Sequence, residues 1–414
     1  MNKVKIGKLL TRVKDAILLE DNEEYKRVTI KTKGQGVLLR DRKKGSEIGT
    51  KRQFLIREGQ FLLSKIDARY GAFGIVGQDI DGAIITGNFW TYEVNSDILN
   101  IEWFNLFVSS SKFIKICEEA SSGTTNRKYL NEEKFLNYEL FLPSKSEQDA
   151  FVNKCFKYKN KVDLIANELD KQIENVKMLK EQLLEEALQG FLTDKEKTEI
   201  INFQSVQGQI GNESNIPLNW KWKKIKDVAD VNPRNKLDDE LEVSFIPMAL
   251  IEDGYSNKHS SEIKKWKEIK SGFTHFREND VVVAKITPCF ENRKSVVMKN
   301  LTNGYGAGTT ELHVLRSHEI VLPEYLLLIV KSKSFIESGV ATYTGTAGQQ
   351  RVKKDFVSNF SFPLPPIEEQ RKIVNKFQNM IEYCEETHEG IIKTKSEVLE
   401  LYETIKSGIV FLEE

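Results

Sequence analysis

Toward the C-terminus, apolar residues recur at steps of three and four. The ladder runs Ile373, Phe377, Met380, Cys384, His388, Ile391, Lys395, Val398, Tyr402, Ile405, Ile409 and Leu412, with polar rungs only at His388 and Lys395. This spacing keeps one helix face apolar and predicts a coiled-coil seam. Two consecutive steps of four, through Met380, Cys384 and His388, form a stutter that locally unwinds such a seam. Moving back 222 positions gives the same ladder: Phe151, Cys155, Tyr158, Val162, Ala166, Leu169, Ile173, Val176, Lys180, Leu183, Ala187 and Gly190. A helix over residues 146–191 would be about 68 Å long at 1.5 Å per residue. One small domain cannot cover so long a seam, and the economical partner is the duplicate helix.

Each ladder is preceded by a proline-punctuated exit. Pro143 matches Pro365, Glu147-Gln148 matches Glu369-Gln370, and Val152-Asn153-Lys154 matches Val374-Asn375-Lys376. Proline closes what precedes it, and the acidic residues suit a first helical turn, where the macrodipole favours negative charge. Further upstream, Arg57-Glu58-Gly59-Gln60 feeds the apolar run 61–64 as Arg277-Glu278-Asn279-Asp280 feeds 281–284. Both predict a buried strand closed by a basic residue, Lys65 or Lys285. Gly-rich segments at 82–88 and 304–310 lead into strands at 89–94 and 311–315. Helices are expected over 101–119 and 323–339. The last match before the exit is Ser122-Gly123-Thr124-Thr125 over Thr344-Gly345-Thr346-Ala347.

Short strands mixed with one or two helices predict an α+β chain of two duplicated mixed α/β domains, each followed by a long helix. The expected boundaries are 1–145 for the first domain, 146–193 for its helix, 217–367 for the second domain and 368–414 for its helix. Between them, 194–216 is polar, rich in Gly, Ser, Gln and Asn, and without periodicity, which reads as a flexible linker.

Composition narrows the chemistry. Lys+Arg and Asp+Glu both number 61, so no overall field draws in nucleic acid or an anionic membrane. Four scattered cysteines without metal spacing read as reduced and cytoplasmic, and no apolar run reaches membrane-spanning length. No phosphate-binding GxxxxGK[ST] loop occurs, and Val231-Asn232-Pro233-Arg234 lacks the second proline and the aromatic of an adenine-methylation loop, so it reads as a turn. The Gly304–Gly308 run reads as a turn or a close backbone approach. All five histidines lie after residue 258, which argues against a catalytic histidine shared by the duplicates. No catalytic constellation, metal site or cofactor site emerges.

Local charge is more informative. Residues 26–69 carry thirteen basic side chains against four acidic ones, and 258–299 is milder but still basic. Basic patches at matching places in duplicated domains favour phosphate contact over idle solvated lysines. The candidate DNA-binding residues in the first domain are Lys26, Arg27, Arg40, Arg42, Lys43, Lys44, Lys65, Arg69, Tyr70, Asn88, Arg127 and Lys128. In the second they are Lys264, Lys285, Asn292, Arg293, Lys294, Thr309, Gln349, Gln350 and Arg351.

The run Gly345-Thr346-Ala347-Gly348-Gln349-Gln350-Arg351-Val352, followed by Phe360-Ser361-Phe362-Pro363-Leu364-Pro365-Pro366-Ile367-Glu368-Glu369-Gln370, resembles the specificity subunits of type I restriction–modification systems. So does Trp220-Lys221-Trp222-Lys223-Lys224-Ile225-Lys226-Asp227-Val228. The likeness covers essentially the whole chain, although the first unit departs from it at Thr125-Asn126-Arg127-Lys128 and Lys145-Ser146. The resemblance implies two target-recognition domains on antiparallel paired helices and a bipartite, asymmetric double-stranded DNA target. It also implies no catalysis or cofactor of its own. The implied partners are two adenine-N6 methyltransferase subunits and a restriction/translocase subunit. Two other classes stay open: a DNA methyltransferase or nuclease in its own right, and a coiled-coil adaptor protein.

Overall fold

The computed structural model describes residues 2–124, 127–192, 203–207, 213–217, 219–346 and 348–410. They form two compact units, residues 1–168 with 395–414 and residues 169–394, so each long helix belongs partly to both.

In the first unit, an antiparallel sheet runs in the order Leu10–Val13, Phe89–Val94, Phe61–Ser64, Phe73–Ile75. All four residues of Phe61–Ser64 are buried, as an unbroken run between packed layers requires. Phe61 meets Phe104 and Phe113 edge-on, with ring centres 5.4 and 5.8 Å away. A second sheet is ordered Asp15–Leu18, Arg52–Leu55, Ile84–Ile85, Glu24–Ile30, Val37–Lys44. Its last two strands form a ribbon with a bulge between Arg27 and Val28.

The second unit repeats the first sheet as Ala229–Val231, Leu312–Ser317, Val281–Ala284, Ser295–Val297. Its other sheet is ordered Glu262–Lys265, Glu242–Ile246, Tyr305–Gly308, Thr274–Arg277. The glycine-rich run lies in this sheet as a close backbone approach. A Cβ on Gly308 would lie 2.4 Å from the Ile246 carbonyl oxygen, and one on Gly306 2.4 Å from the Phe276 ring.

The expected helix over 101–119 is two helices, Ile101–Val108 and Ser111–Glu119. Its duplicate is likewise split into Pro323–Lys331 and Lys333–Ala341. Serine causes both breaks. Ser110 and Ser332 have extended backbones, and each hydroxyl accepts the N–H three residues on, from Phe113 at 3.4 Å and Phe335 at 3.2 Å.

The long helices span Lys145–Gln189 and Ile367–Val410. Every ladder rung from Phe151 to Gly190 and from Ile373 to Ile405 is buried or half-buried, while the side chains of Ile409 and Leu412 lie outside the described ones. Within the second unit the two helices run antiparallel. Gly190, at the end of the first helix, packs on Pro217 and Trp220, and neighbouring Asn219 donates to Glu369 in the first turn of the second helix at 3.1 Å. Farther back along the first helix and farther on along the second, Lys180 donates to Glu385 at 2.6 Å. The first unit holds the matching register. Tyr402, 222 positions after Lys180, lies within electrostatic reach of Asp163, 222 positions before Glu385. The Lys159 ammonium is 5.9 Å from the Tyr402 ring centre.

Within the stretch read as a flexible linker, Phe203–Gln207 pairs antiparallel with Glu213–Pro217. That ribbon departs from the expectation, because main-chain pairing there does not need an apolar alternation. Among the described residues no helix is long and apolar enough to cross a membrane.

Candidate nucleic-acid interface

In each unit the buried central strand ends in a basic residue whose main chain joins two further segments. Lys65 N–H donates to the Asn88 carbonyl at 3.0 Å, and the Lys65 carbonyl accepts from Leu130 N–H at 2.9 Å. Lys285 N–H donates to the Glu311 carbonyl at 2.9 Å, and its carbonyl accepts from Val352 N–H at 2.9 Å. Leu130 and Val352 are 222 positions apart. The duplication has therefore copied a junction at which three loops meet.

In the first unit a fourth segment joins. The tip of the ribbon docks on the turn after the strand, with Lys33 N–H donating to the Tyr70 carbonyl at 2.7 Å and Gly34 N–H to that of Gly71 at 2.9 Å. Gly71 has φ +81°, and a Cβ there would lie 2.6 Å from Gly34 N, so this approach needs glycine. The junction gathers Lys33, Lys65, Arg69, Tyr70, Asn88 and the strand Arg127–Leu130. The Trp90 ring centre has the Lys65 ammonium at 5.5 Å and the Arg12 guanidinium at 5.0 Å, while Arg69 lies 4.6 Å over Tyr70. Tyr70 and Tyr129 are 54% and 48% exposed, so planar rings and cations share an open surface. Lys128 is exposed, and the side chain of Arg127 lies outside the described ones.

Along the ribbon the candidates divide. Lys26 donates to the Asp79 and Asp81 carbonyls at 2.9 and 3.0 Å, and Arg27 forks onto Asp41 with two bonds of 2.7 Å. That fork raises the Arg27 pKa and holds the Asp41 carboxyl below the usual carboxylate range. Both cations serve the fold. Arg40 and Arg42 are 60% and 52% exposed, with acidic neighbours no nearer than 3.7 and 3.8 Å. Lys43 is half-buried and Lys44 exposed.

In the second unit the junction gathers Lys285, Thr309, Gln349, Gln350 and Arg351. Thr287 N–H donates to the Gln350 carbonyl at 3.0 Å, and the Thr309 hydroxyl accepts from Glu311 N–H at 3.2 Å. Arg351 forks onto Glu311 with two bonds of 2.9 Å and reaches the Gln349 carbonyl at 2.8 Å. The guanidinium holds the Glu311 carboxyl below its ordinary range. Glu311 occupies the place of Asn88, so an acid has entered this junction. Behind it His313 Nε2–H donates to the Val352 carbonyl at 3.0 Å, and Nδ1 accepts from Asn232 at 3.2 Å. Burial pushes the His313 pKa down.

The remaining second-unit candidates lie elsewhere. Arg293 donates to Glu181 and to the Lys331 carbonyl, both at 2.9 Å, and Lys294 donates to the Ile251 carbonyl at 2.9 Å. These two hold the fold. The carbonyl of Asn292, whose side chain is exposed, accepts from Gly254 N–H at 2.8 Å. Lys264 lies 3.9 Å over the Phe245 ring, in the other sheet. Sequence reasoning missed Lys33 and Tyr129 as members of the surface, Trp90 beneath it and Glu311 beside it. The signal for Glu311 was its place at the head of a strand facing a basic strand end. Among the described residues no group of three or more His, Cys, Asp or Glu is placed to hold a metal ion.

The family model of the type I restriction modification DNA specificity domain matches residues 3–175 and 217–394. The specificity subunit of the type I restriction enzyme EcoAI of Escherichia coli is 38% identical over 256 residues, 56% of this chain and 44% of that protein. The EcoEI specificity subunit of the same organism is 37% identical over 257 residues, 56% of this chain and 43% of that protein. The matched region thus spans less than half the length of these curated relatives. The crystal structure of the HsdS subunit from Thermoanaerobacter tengcongensis is similar in fold, with a TM-score of 0.57 at 16% identity over 99% of this chain and 95% of that one. A chain from a structure described as the basis of complex assembly and conformational transition of the type I R-M system gives a TM-score of 0.64, also at 16% identity, over 99% and 97% of the two chains.

Proposed function

The chain belongs to the family of type I restriction modification DNA specificity domains, and on that premise we propose that it selects DNA for a modification complex and catalyses no step itself. Each unit reads one half of a bipartite duplex target. Lysine and arginine at the junctions and on the ribbon fix register on phosphates, and amide, hydroxyl and guanidinium groups among them read base edges in the major groove. Lys65, Arg69, Tyr70, Asn88 and Lys128 serve the first half-site; Lys285, Thr309, Gln349, Gln350 and Arg351 serve the second. The paired helices set the number of base pairs left unread between the halves. Adenine methylation and restriction belong to partner subunits, with two methyltransferase copies matching the two units.

One observation carries this reading: the same strand-end junction, lined with cationic and amide side chains, is built twice, once around Lys65 and once around Lys285. Because its residues differ between units, the half-sites differ. Removal of four residues, about one helical turn, from both long helices is expected to change the permitted gap and leave the half-site sequences intact. Methylome mapping of a host expressing the chain with its methyltransferase checks this, and altered half-sites with an unaltered gap would refute it.

A further inference from the structure

A buried side-chain amide stands in the first turn of each long helix. Gln148 and Gln370 lie 222 positions apart, and both are 0% exposed. Gln148 Nε2 donates to the Pro143 carbonyl at 2.9 Å and the Ile98 carbonyl at 3.0 Å, and its Oε1 accepts from Asn100 N–H at 2.8 Å. Gln370 repeats all three bonds, to the Pro365 carbonyl at 2.8 Å, the Ile320 carbonyl at 3.0 Å and from Leu322 N–H at 2.8 Å. In both units one bond goes to the proline-punctuated exit. The other two go to the loop that opens the paired short helices, Ile101–Val108 or Pro323–Lys331.

Shape-filling alone does not account for this arrangement. An apolar side chain of the same length would bury similar area, but it would take these partners from two carbonyls and one N–H. The three bonds point in different directions from one planar group, so they resist rotation of the helix root as well as its withdrawal. Leverage makes that resistance matter. A tilt of about 5° at the root moves a point roughly 40 Å along a helix by about 3.5 Å, close to one base-pair step.

We propose that Gln148 and Gln370 are positioning residues, which fix the angle at which each long helix leaves its domain and so narrow the permitted gap between half-sites to one length. The proposal rests on the spacer reading above. Two variants, Gln148→Met and Gln370→Met, are compared with Val282→Ala, a core truncation remote from the helix roots. Each full chain is co-expressed with its methyltransferase on a plasmid library carrying both half-sites at every gap length, and adenine methylation is mapped on single molecules.

The methionine variants are expected to methylate gaps one base pair longer or shorter at least tenfold above the parent, with half-site sequences unchanged. Val282→Ala should lower methylation at all gaps by a common factor. A parental gap profile, or the uniform loss seen with Val282→Ala, overturns the proposal. So does failure of both methionine variants to fold while Val282→Ala folds, since that assigns the amides to stability alone. Failure of the spacer reading itself is separately visible, because the chain shortened in both helices would then keep its gap while both amides remain intact.

Discussion

In the first unit the buried central strand sets Phe61 against Phe104 and Phe113. In the second, Val281 and Leu326 hold the matching positions and Phe335 keeps the third, all buried. The aromatic bulk has moved: Phe335 is surrounded by Phe360, Phe356 and Phe290 at 4.9, 5.3 and 5.7 Å. Strand order and the serine-broken helix pair survive the exchange. What the frame requires is an apolar position and a filled volume, and neighbours can redistribute that volume. The exposed junctions differ in another way. Among the described residues no ion pair joins Lys65 at its strand end, whereas Lys285 shares its end with the forked Glu311–Arg351 pair.

The largest effect that would test this contrast lies in the cores. Phe61→Ala should cost about 3–5 kcal/mol and selectively unfold the first unit, while Val281→Ala should cost roughly 2 kcal/mol. Calorimetry of the full chain would separate the transitions, and equal costs at the two sites would break the comparison.

Acid gives a smaller and one-sided effect. His275 and His313 are buried in the second unit, each accepting a hydrogen bond at Nδ1, and burial depresses both pKa values. The unfolded imidazoles titrate near 6.5, above the folded ones. Their contribution is therefore complete above about pH 6.5 and is lost as pH falls below it, because the unfolded chain takes up protons first. The first unit has no histidine, so its melting transition should hold steady between about pH 7 and 5.5 while that of the second falls.

The smallest effect concerns charge at the junctions. Lys65→Ala should reduce the salt dependence of duplex binding by about one unit of slope. Glu311→Gln should act in reverse, releasing Arg351 for phosphate and steepening the slope by up to about one unit. DNA-binding titrations at several salt concentrations check both, and a shallower slope for Glu311→Gln would contradict the role given to the pair.

The helices were the most legible part of the sequence. Their rungs face a partner over many turns, so packing imposes a period that no local accident hides. The serine breaks were missed because apolar spacing continues across Ser110 and Ser332, and a single hydroxyl bond decides the matter. The junctions were half legible. Alignment of the repeats located Lys65, Lys285 and the strands that meet them. It also swept in Lys26, Arg27, Arg293 and Lys294, because a cation's sequence position does not reveal a carbonyl or carboxylate waiting 14 to 112 residues away. Gln148 and Gln370 were visible as a matched pair, yet nothing in their neighbourhood marked them as fully enclosed.

The junction residues Lys65 and Lys285 are held by their main-chain groups, which every amino acid except proline supplies in full. The side chains of these two residues can consequently vary without disturbing the main-chain geometry that presents them. Under the proposed function, a change of DNA target therefore calls only for surface substitutions that leave these main-chain bonds in place.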